Sequence, residues 1–199
     1  MTTPSGANAS DPATRLAEGA VLLLNTDTLP GLHARIDRPE ALESLARLKG
    51  RATDQPLLVL VADLATAAAL MAGRRWSDHR LLAACWPGPF TFIVPAATGL
   101  PSAVCSALGT VAIRIPDRPP LRRLLARTGP LASSSANRHG EAPSLGLAEA
   151  RRRFADLEVW DDGAPASAGA ASALVDLTGA EPRVLRPGPR PLPVVADGS

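Results

Sequence analysis

The chain has 199 residues, a net charge of +2 and 46 % hydrophobic residues, which indicate one globular domain with a sizeable core. Its apolar runs are too short to span a membrane. A pI of 8.9 is only mildly basic, so the chain does not have the concentrated charge of a dedicated nucleic-acid binder. Two cysteines are too few for a disulfide framework. We expect a cytoplasmic protein with a disordered tail at 1–11, one domain at 12–190 and a flexible C-terminal tail at 191–199.

Strand-like apolar runs alternate with helix-like segments, a pattern typical of an α/β domain. In the first half, the pattern predicts helices at 12–19, 39–48, 63–71 and 77–85 and strands at 21–24, 32–36 and 57–62. The strand at 21–24 leads into Thr26-Asp27-Thr28-Leu29-Pro30-Gly31. Hydroxyl and carboxylate groups are therefore expected where a buried strand breaks into a turn, a usual place for ligand-binding groups.

Lys49 is the only lysine in the chain, against 20 arginines, and it lies at the C-terminal end of the helix predicted at 39–48. The helix dipole favours a cation at this end whatever its role. However, a composition that uses arginine everywhere else indicates that this one position requires a compact ammonium group. A structural helix-end charge and a ligand-binding cation are both open interpretations.

The second half begins with the rigid turn Trp86-Pro87-Gly88-Pro89. Strands are predicted at 90–94 and 110–116, and in the latter Thr110, Ala112 and Arg114 share one face. Because the opposite face consists of Val and Ile, a guanidinium here indicates an anionic ligand.

Further along, helices are predicted at 119–128 and 147–154, a short strand at 158–160, an aperiodic loop at 161–171 and a hairpin of strands 172–177 and 183–186. Between the two helices, Ser133-Ser134-Ser135-Ala136-Asn137 follows a buried strand. Such dense hydroxyl and amide groups are equally compatible with a helix cap and with a ligand cradle.

The common nucleotide and metalloprotease motifs are missing from the sequence: there is no Walker A loop, no G-x-G-x-x-G and no H-E-x-x-H. A serine hydrolase built on Ser135 and His139 lacks a G-x-S-x-G elbow and an orienting acid. The remaining polar clusters supply cations and hydroxyls without a catalytic base. They suit the binding and alignment of phosphates and a carboxylate.

In the polar clusters described above, the chain resembles the YrdC/TsaC family of L-threonylcarbamoyladenylate synthases. The resemblance covers roughly residues 13–188 in the correct order. It is carried by Thr26-Asp27-Thr28-Leu29-Pro30-Gly31-Leu32, Lys49-Gly50-Arg51, Trp86-Pro87-Gly88-Pro89-Phe90-Thr91, Thr110, Ala112-Ile113-Arg114-Ile115-Pro116, Ser135-Ala136-Asn137, Gly140, Ser172 to Asp176 and Arg186. It implies a twisted mixed sheet with helices packed on it and a wide basic cavity.

The resemblance also implies site residues. The ATP site would use Lys49, Arg51, Gln55, Thr110, Ser135, Asn137 and Arg186, with Lys49 and Arg51 offsetting phosphate charge as the catalytic pair. The threonine site would use Thr28, Arg114, Ser133 and Ser172, with Arg114 gripping the carboxylate. Mg²⁺ is expected to accompany the ATP, and no protein metal site is predicted.

In the implied nucleotidyltransferase reaction, bicarbonate and the threonine amine give N-carboxy-threonine, whose carboxylate attacks the α-phosphorus of ATP. Pyrophosphate leaves, and threonylcarbamoyl-AMP is produced for N6-threonylcarbamoyladenosine in tRNA. A functional link to the tRNA threonylcarbamoyl-transfer machinery follows.

Several departures from the family pattern stand in this sequence, among them Asn25, Ala52 and His139, and two others bear on the amino-acid pocket and leave alternatives open. Leu29-Pro30 replaces Val-Tyr/Phe, and Leu60 stands where two-domain relatives have a histidine that contacts threonine. One alternative is a paralogous ATP-dependent enzyme with another amine or carbamoyl substrate. Another is an RNA-binding module of the same fold, with Arg122-Arg123 and Arg151-Arg152-Arg153 as phosphate contacts.

Overall fold

The computed structural model describes residues 11–50, 56–73, 76–164 and 169–195. Its helices are α1 (Pro12–Ala17), α2 (Pro39–Lys49), α3 (Leu64–Ala69), α4 (Trp76–Cys85), α5 (Pro119–Thr128) and α6 (Leu147–Arg153), with a short 3₁₀ helix at Ser102–Val104. Its strands are β1 (Leu22–Leu24), β2 (Gly31–Arg35), β3 (Leu58–Leu60), β4 (Phe90–Pro95), β5 (Thr110–Arg114), β6 (Leu131–Ser135), β7 (Glu158–Trp160), β8 (Ala173–Asp176) and β9 (Arg183–Arg186). The predicted α/β class is confirmed.

The nine strands form one mixed sheet in the order β7-β1-β2-β6-β3-β5-β4-β8-β9. Parallel pairing joins β1 to β7, β3 to β5 and β4 to β8, and the other neighbours are antiparallel. The predicted closing hairpin is confirmed as β8 paired with β9. Strands distant in sequence therefore lie side by side at the centre of the sheet.

The two faces of the sheet carry two separate hydrophobic clusters, because consecutive strand residues point to opposite faces. The major cluster packs α2, α3, α4 and α6 on one face and includes Leu23, Val59, Phe92, Ile113 and Ala132. The minor cluster packs α1 and α5 on the other face and includes Leu16, Leu22, Leu24, Leu60, Leu121 and Leu131. Helices α1 and α5 cover only the part of the second face near β1, β3 and β6.

Helix α2 illustrates how the sequence sets its own boundaries. Pro39 occupies the first turn, where no amide hydrogen bond is lost. Ala41, Leu42 and Leu45 form its buried face, and Gly50 ends it in the left-handed conformation with φ 61°. Lys49 is therefore fixed in the last turn of the helix.

The serine run differs from expectation, because Ser133, Ser134 and Ser135 belong to strand β6 itself and do not follow it. Leu131 and Ala132 at its start are completely buried, and the pairing with β2 and β3 extends the strand through the serines. Of the two open interpretations, a helix cap is not formed here. The hydroxyls of Ser133 and Ser135 project from one face at the centre of the sheet.

The chain after β9 packs against the domain. Leu192 and Val195 lie against the major cluster, and the Arg190 guanidinium is 5.5 Å from the centre of the Phe90 ring. Contacts thus continue beyond residue 190, the C-terminal boundary predicted for the domain. The domain limits themselves stay a prediction. Within the described ranges, no helix combines the length and apolar character needed to cross a membrane.

Gly188 is expected to tolerate no side chain, because a Cβ there would lie 2.3 Å from the Ala173 backbone nitrogen. We predict that Gly188→Ala lowers the free energy of unfolding by about 1–3 kcal/mol, measured by urea denaturation. Gly146→Ala is the control, since a Cβ at Gly146 meets no atom within 4 Å. Equal midpoints for the two variants would contradict the close packing of the C-terminal segment on β8.

Candidate active site

A cavity of about 590 Å³ opens on the part of the second sheet face that α1 and α5 leave uncovered. Alternate residues of adjacent strands form its floor, as the two-residue period of a strand requires. These floor residues are Leu58 and Leu60 of β3, Thr91 and Ile93 of β4, Ala112 and Arg114 of β5, Ser133 and Ser135 of β6, and Leu174 of β8. The walls include Thr26, Thr28, Lys49, Asn137, Ser172 and Arg186. The cavity therefore has an apolar middle with polar groups around it.

Lys49 lies at one end of the cavity and is 94 % buried, being only 6 % exposed. Its ammonium donates to the Ser135 carbonyl oxygen at 2.9 Å, to Ser135 Oγ at 3.2 Å and to Asn137 Oδ1 at 2.6 Å. These neutral oxygens of β6 and of the turn that follows hold the ammonium at this end of the cavity. A cation placed in this way suits phosphate binding, because a phosphate oxygen can replace a neutral acceptor and gain a charge-assisted hydrogen bond.

The turn after β6 is fixed by its own hydrogen bonds. Asn137 Nδ2 donates to the carbonyl oxygens of Arg138 and Glu141, and Ser135 Oγ donates to Asn137 Oδ1. The His139 amide donates to the Lys49 carbonyl oxygen at 2.8 Å, which joins this turn to the end of α2. Lys49 thus forms one cluster with Ser135 and Asn137, which lie 86 and 88 residues further along the chain.

Arg114 lies at the opposite edge of the floor and is 2 % exposed. Its Nε donates to the Gly88 carbonyl oxygen at 3.1 Å, its Nη1 to Thr28 Oγ1 at 2.6 Å, and its Nη2 to Asp27 Oδ1. The contact with Asp27 is a buried ion pair. A guanidinium has five N–H bonds, so two remain for a ligand.

The Thr26 hydroxyl shapes the segment that brings Asp27 and Thr28 to Arg114. It accepts the amides of Thr28 and Leu29 at 3.0 and 3.2 Å and donates to the Leu29 carbonyl oxygen at 2.8 Å. This local turn follows β1 directly and leads into β2 at Gly31. The predicted polar turn at the end of a buried strand is confirmed as a feature of the structure.

The Gly88 carbonyl owes its position to the Trp86-Pro87-Gly88-Pro89 turn, whose Trp86-Pro87 bond is cis. Trp86 Nε1 donates to the Phe90 carbonyl oxygen at 2.7 Å, and the Gly88 amide donates to the Ile115 carbonyl oxygen at 2.9 Å. The turn is thereby tied to the strands on either side of it.

Ser172 and Arg186 line the cavity beside β4 and β8. Ser172 Oγ lies 2.8 Å from Thr91 Oγ1, and both hydroxyls are buried. Arg186 donates Nε and Nη2 to the Ser172 carbonyl oxygen at 3.1 and 3.0 Å. Partial burial, and then the like charge of Arg114, lower the pKa of Arg186. An anion bound nearby would relieve both effects.

The sequence-predicted residues are therefore partly brought together. Eight of them line the cavity: Thr28, Lys49, Arg114, Ser133, Ser135, Asn137, Ser172 and Arg186. Thr110 shares their face of β5, but its hydroxyl bonds Ser106 Oγ at 2.7 Å and it is not among the lining residues of the described chain. Arg51 and Gln55 fall outside the described residues. Their proposed roles stay predictions.

Sequence reasoning assigned no site role to Asp27, Gly88 or Thr91. Thr91 could have been found, since it alternates with Ile93 on β4 and stands directly after Phe90 in the cited motif. The contacts of Asp27 and Gly88 with Arg114 span 87 and 26 residues of sequence. No local pattern announces such pairs.

His33 lies on the same sheet face as the cavity floor and is completely buried. It pairs with Ser133 across the β2–β6 ladder and with Leu22 across β1–β2. Within the described ranges neither ring nitrogen makes a hydrogen bond of good geometry, and the Gly31 and Leu22 backbone groups beside the ring interact with it only weakly. Burial is the main cause that lowers the pKa of His33 to about 4, against an opposing contribution from the Gly31 and Leu22 backbone.

Comparison with known proteins gives a consistent picture. Residues 14–188 match the family described as "Telomere recombination" (Sua5, YciO and YrdC). A putative threonylcarbamoyl-AMP synthase of Mycobacterium tuberculosis is 38 % identical over 172 residues, covering 86 % of this chain and 79 % of that protein. The threonylcarbamoyl-AMP synthase of Chromohalobacter salexigens is 33 % identical over 173 residues, covering 86 % of this chain and 94 % of that protein.

Among solved structures, Pyrococcus abyssi Sua5 complexed with L-threonine superposes with a TM-score of 0.82 and 29 % identity. The match covers 88 % of this chain and 52 % of that chain, so this chain spans about half the length of the Sua5 protein. Escherichia coli YciO superposes with a TM-score of 0.79 at 22 % identity, which supports the fold.

The burial of neutral His33 predicts a specific pH dependence of stability. Because its folded pKa of about 4 lies below the ordinary 6.5, the unfolded chain takes up a proton between these values and the folded chain does not. The full contribution of neutral His33 to the free energy of unfolding is therefore present above pH 6.5. This contribution falls by about 3 kcal/mol as the pH drops to 4.

We expect His33→Leu to remove this part of the pH dependence while keeping an apolar side chain of similar size at the buried site. Urea denaturation of both proteins at intervals from pH 7.5 to 4 measures the difference curve, in which contributions from carboxyl groups cancel. Parallel curves for the two proteins would show that His33 titrates normally in the folded state.

Proposed function

This chain belongs to the Sua5, YciO and YrdC family, and we propose that it is an L-threonylcarbamoyladenylate synthase. It would form threonylcarbamoyl-AMP and pyrophosphate from L-threonine, bicarbonate and ATP. The observation that carries the proposal is the cavity that holds an oriented lysine at one end and a buried arginine at the other. The names of relatives at 33–38 % identity support the same activity.

We assign the triphosphate to the Lys49 end of the cavity. Lys49, Ser135 and Asn137 already form one hydrogen-bonded cluster there, and an arriving phosphate oxygen can replace the neutral acceptors of the ammonium. Arg51, Gln55 and Thr110 complete this assignment by family resemblance. The floor residues Leu58 and Ala112 offer an apolar surface between the two ends.

We assign the threonine to the Arg114 end. The two N–H bonds of Arg114 that remain after its contacts with Gly88, Thr28 and Asp27 can hold the amino-acid carboxylate. Ser133 and Ser172 present hydroxyls toward the same space. Arg186 lies on the wall beside Ser172, where it can contact the α-phosphate of the nucleotide.

The chemistry asks the protein mainly for alignment and charge stabilisation. The carboxylate of N-carboxy-threonine attacks the α-phosphorus of ATP, the bond from that phosphorus to the bridging oxygen breaks, and pyrophosphate departs with the electron pair. Lys49 would stabilise negative charge on the phosphates, and Arg114 would fix the attacking molecule. The nucleophile carries its own negative charge, so no side chain has to remove a proton in this step.

Mg²⁺ would enter with the nucleotide in this proposal. Within the described ranges no three side chains of His, Cys, Asp or Glu come together as metal ligands. These residues therefore do not build a protein-only magnesium site, and phosphate oxygens would hold the ion.

The product is a mixed anhydride of a carbamic acid and AMP, so it is an acylating agent that a nucleophile must consume. We propose that the consumer is the machinery that transfers threonylcarbamoyl to tRNA, and that the protein acts in the cytoplasm.

The defining experiment is pyrophosphate release by the full chain with ATP, L-threonine and bicarbonate, followed by chromatographic detection of threonylcarbamoyl-AMP. Release that requires both co-substrates supports the synthase. Turnover of ATP that is indifferent to threonine would instead identify a paralogous enzyme with another substrate. Absence of turnover together with salt-sensitive binding of tRNA would point to the RNA-binding alternative.

We predict that Lys49→Arg lowers the rate of pyrophosphate release about 100-fold or more. The bulkier guanidinium cannot place one compact charge between Ser135 and Asn137, which hold the ammonium in the buried cluster. Arg47→Lys is the matched control, because Arg47 lies on the exposed side of the same helix and pairs with Glu43. Unchanged turnover in the Lys49→Arg variant would show that Lys49 is only a structural charge at the end of the helix.

A further inference from the structure

Asp27 neutralises one of the two arginines at the amino-acid end of the cavity. Its carboxylate forms an ion pair with Arg114, and the two side chains are 12 % and 3 % exposed. Arg186, the other arginine at this end, forms no ion pair with any described residue, and its donors Nε and Nη2 bond a neutral carbonyl oxygen. This end of the cavity therefore carries one net positive charge from its two arginines.

The strand register places these charges in one row. Leu60 pairs with Arg114, and the antiparallel β4–β5 register brings Thr91 next to Arg114 on the other side. Thr91 pairs with Leu174, which pairs with Arg186. The two guanidiniums thus approach the same space from strands β5 and β9, and Arg114 contributes to the lowered pKa of Arg186.

Asp27 and Arg114 differ in their relation to the cavity. Arg114 lines it, whereas Asp27 is not among its lining residues in the described chain, although its side chain is 12 % exposed against 3 % for Arg114. We therefore assign the ligand contact to the guanidinium. Asp27 consequently changes the charge that a ligand experiences without occupying the ligand's place.

We infer that Asp27 is the residue that determines the charge selectivity of this end of the cavity: by halving its positive charge, Asp27 weakens the binding of a dianionic phosphate more than that of a singly charged group such as an amino-acid carboxylate or the diester α-phosphate of ATP. Without Asp27, two positive charges would face the ligand, and a phosphate would gain more than a carboxylate because it carries twice the charge. The inference rests on the proposed function, in which an amino acid and a polyphosphate must enter the same cavity and bind at opposite ends.

The test measures binding of inorganic phosphate to the full chain by isothermal titration calorimetry at pH 7.5 and constant ionic strength, with no other substrate. We expect Asp27→Asn to bind phosphate about ten-fold or more tightly than the unmodified protein. Asp27→Glu keeps the charge and should bind phosphate as weakly as the unmodified protein. The double variant Asp27→Asn/Arg114→Gln removes both charges and should also bind weakly.

Asp162→Asn is the matched control. It breaks the ion pair of Asp162 with Arg118, whose side chains are 3 % and 5 % exposed, and neither residue lines the cavity within the described chain. A general loss of stability from breaking a buried pair would affect both variants, but only Asp27→Asn should gain phosphate affinity. An equal gain in Asp162→Asn, or none in Asp27→Asn, would overturn the proposal.

The thermal stability of the Asp27→Asn variant gives a second measurement, because the buried Arg114 guanidinium has lost its countercharge in this variant. Phosphate should raise its thermal midpoint more than chloride at the same ionic strength, and more than it does for the unmodified protein. A variant that stays unfolded even in phosphate would contradict the proposal. These readouts do not involve catalysis, so a failed synthase assay and a failed charge-selectivity test are separate results. If the synthase assay and the charge-selectivity test both succeed, phosphate should compete with threonine for binding to the Asp27→Asn variant but not to the unmodified protein.

Discussion

The buried guanidinium of Arg114 is the interaction on which the arrangement of the site depends. It connects three separate parts of the chain: strand β5, the turn after β1 through Asp27 and Thr28, and the turn before β4 through Gly88. Isolating a cation in a protein interior is costly unless its hydrogen-bonding groups are satisfied and its charge is balanced. The three contacts meet this requirement, and in doing so they fix two loops relative to the central sheet.

The cavity itself follows from the unequal coverage of the sheet. Four helices pack on the major cluster of one face, whereas α1 and α5 cover the other face only over Leu22, Leu24, Leu60 and Leu131. Leu60 marks the border, because it belongs to the minor cluster and also lines the cavity. Beyond it the same face carries serine, threonine and arginine side chains around an apolar middle that includes Ile93, Ala112 and Leu174. The hydrophobic core on one face thus supports the cavity on the other through the same strands.

Much of the fold could be predicted from the sequence, since the helices and most strands follow from local periodicity and from Pro and Gly at their ends. The single lysine among 20 arginines stands out in the sequence, and in the structure it is a buried cation. The serine run could not be assigned to a strand, because serine favours turns and caps locally, and only pairing with β2 and β3 overrides that preference. Likewise, Asp27 and Gly88 meet Arg114 only through the completed sheet.

The two ends of the cavity differ in how their cations are held, and this difference bears on what each can bind. The Lys49 ammonium donates to neutral oxygens of Ser135 and Asn137, which a phosphate oxygen can replace. Arg114 is held by a carboxylate, so its charge is already partly balanced before any ligand arrives. A multiply charged anion therefore gains less beside Arg114 than it would without Asp27, whereas a singly charged group loses less. In the proposed arrangement of substrates, the partners of the cations matter as much as the cations themselves.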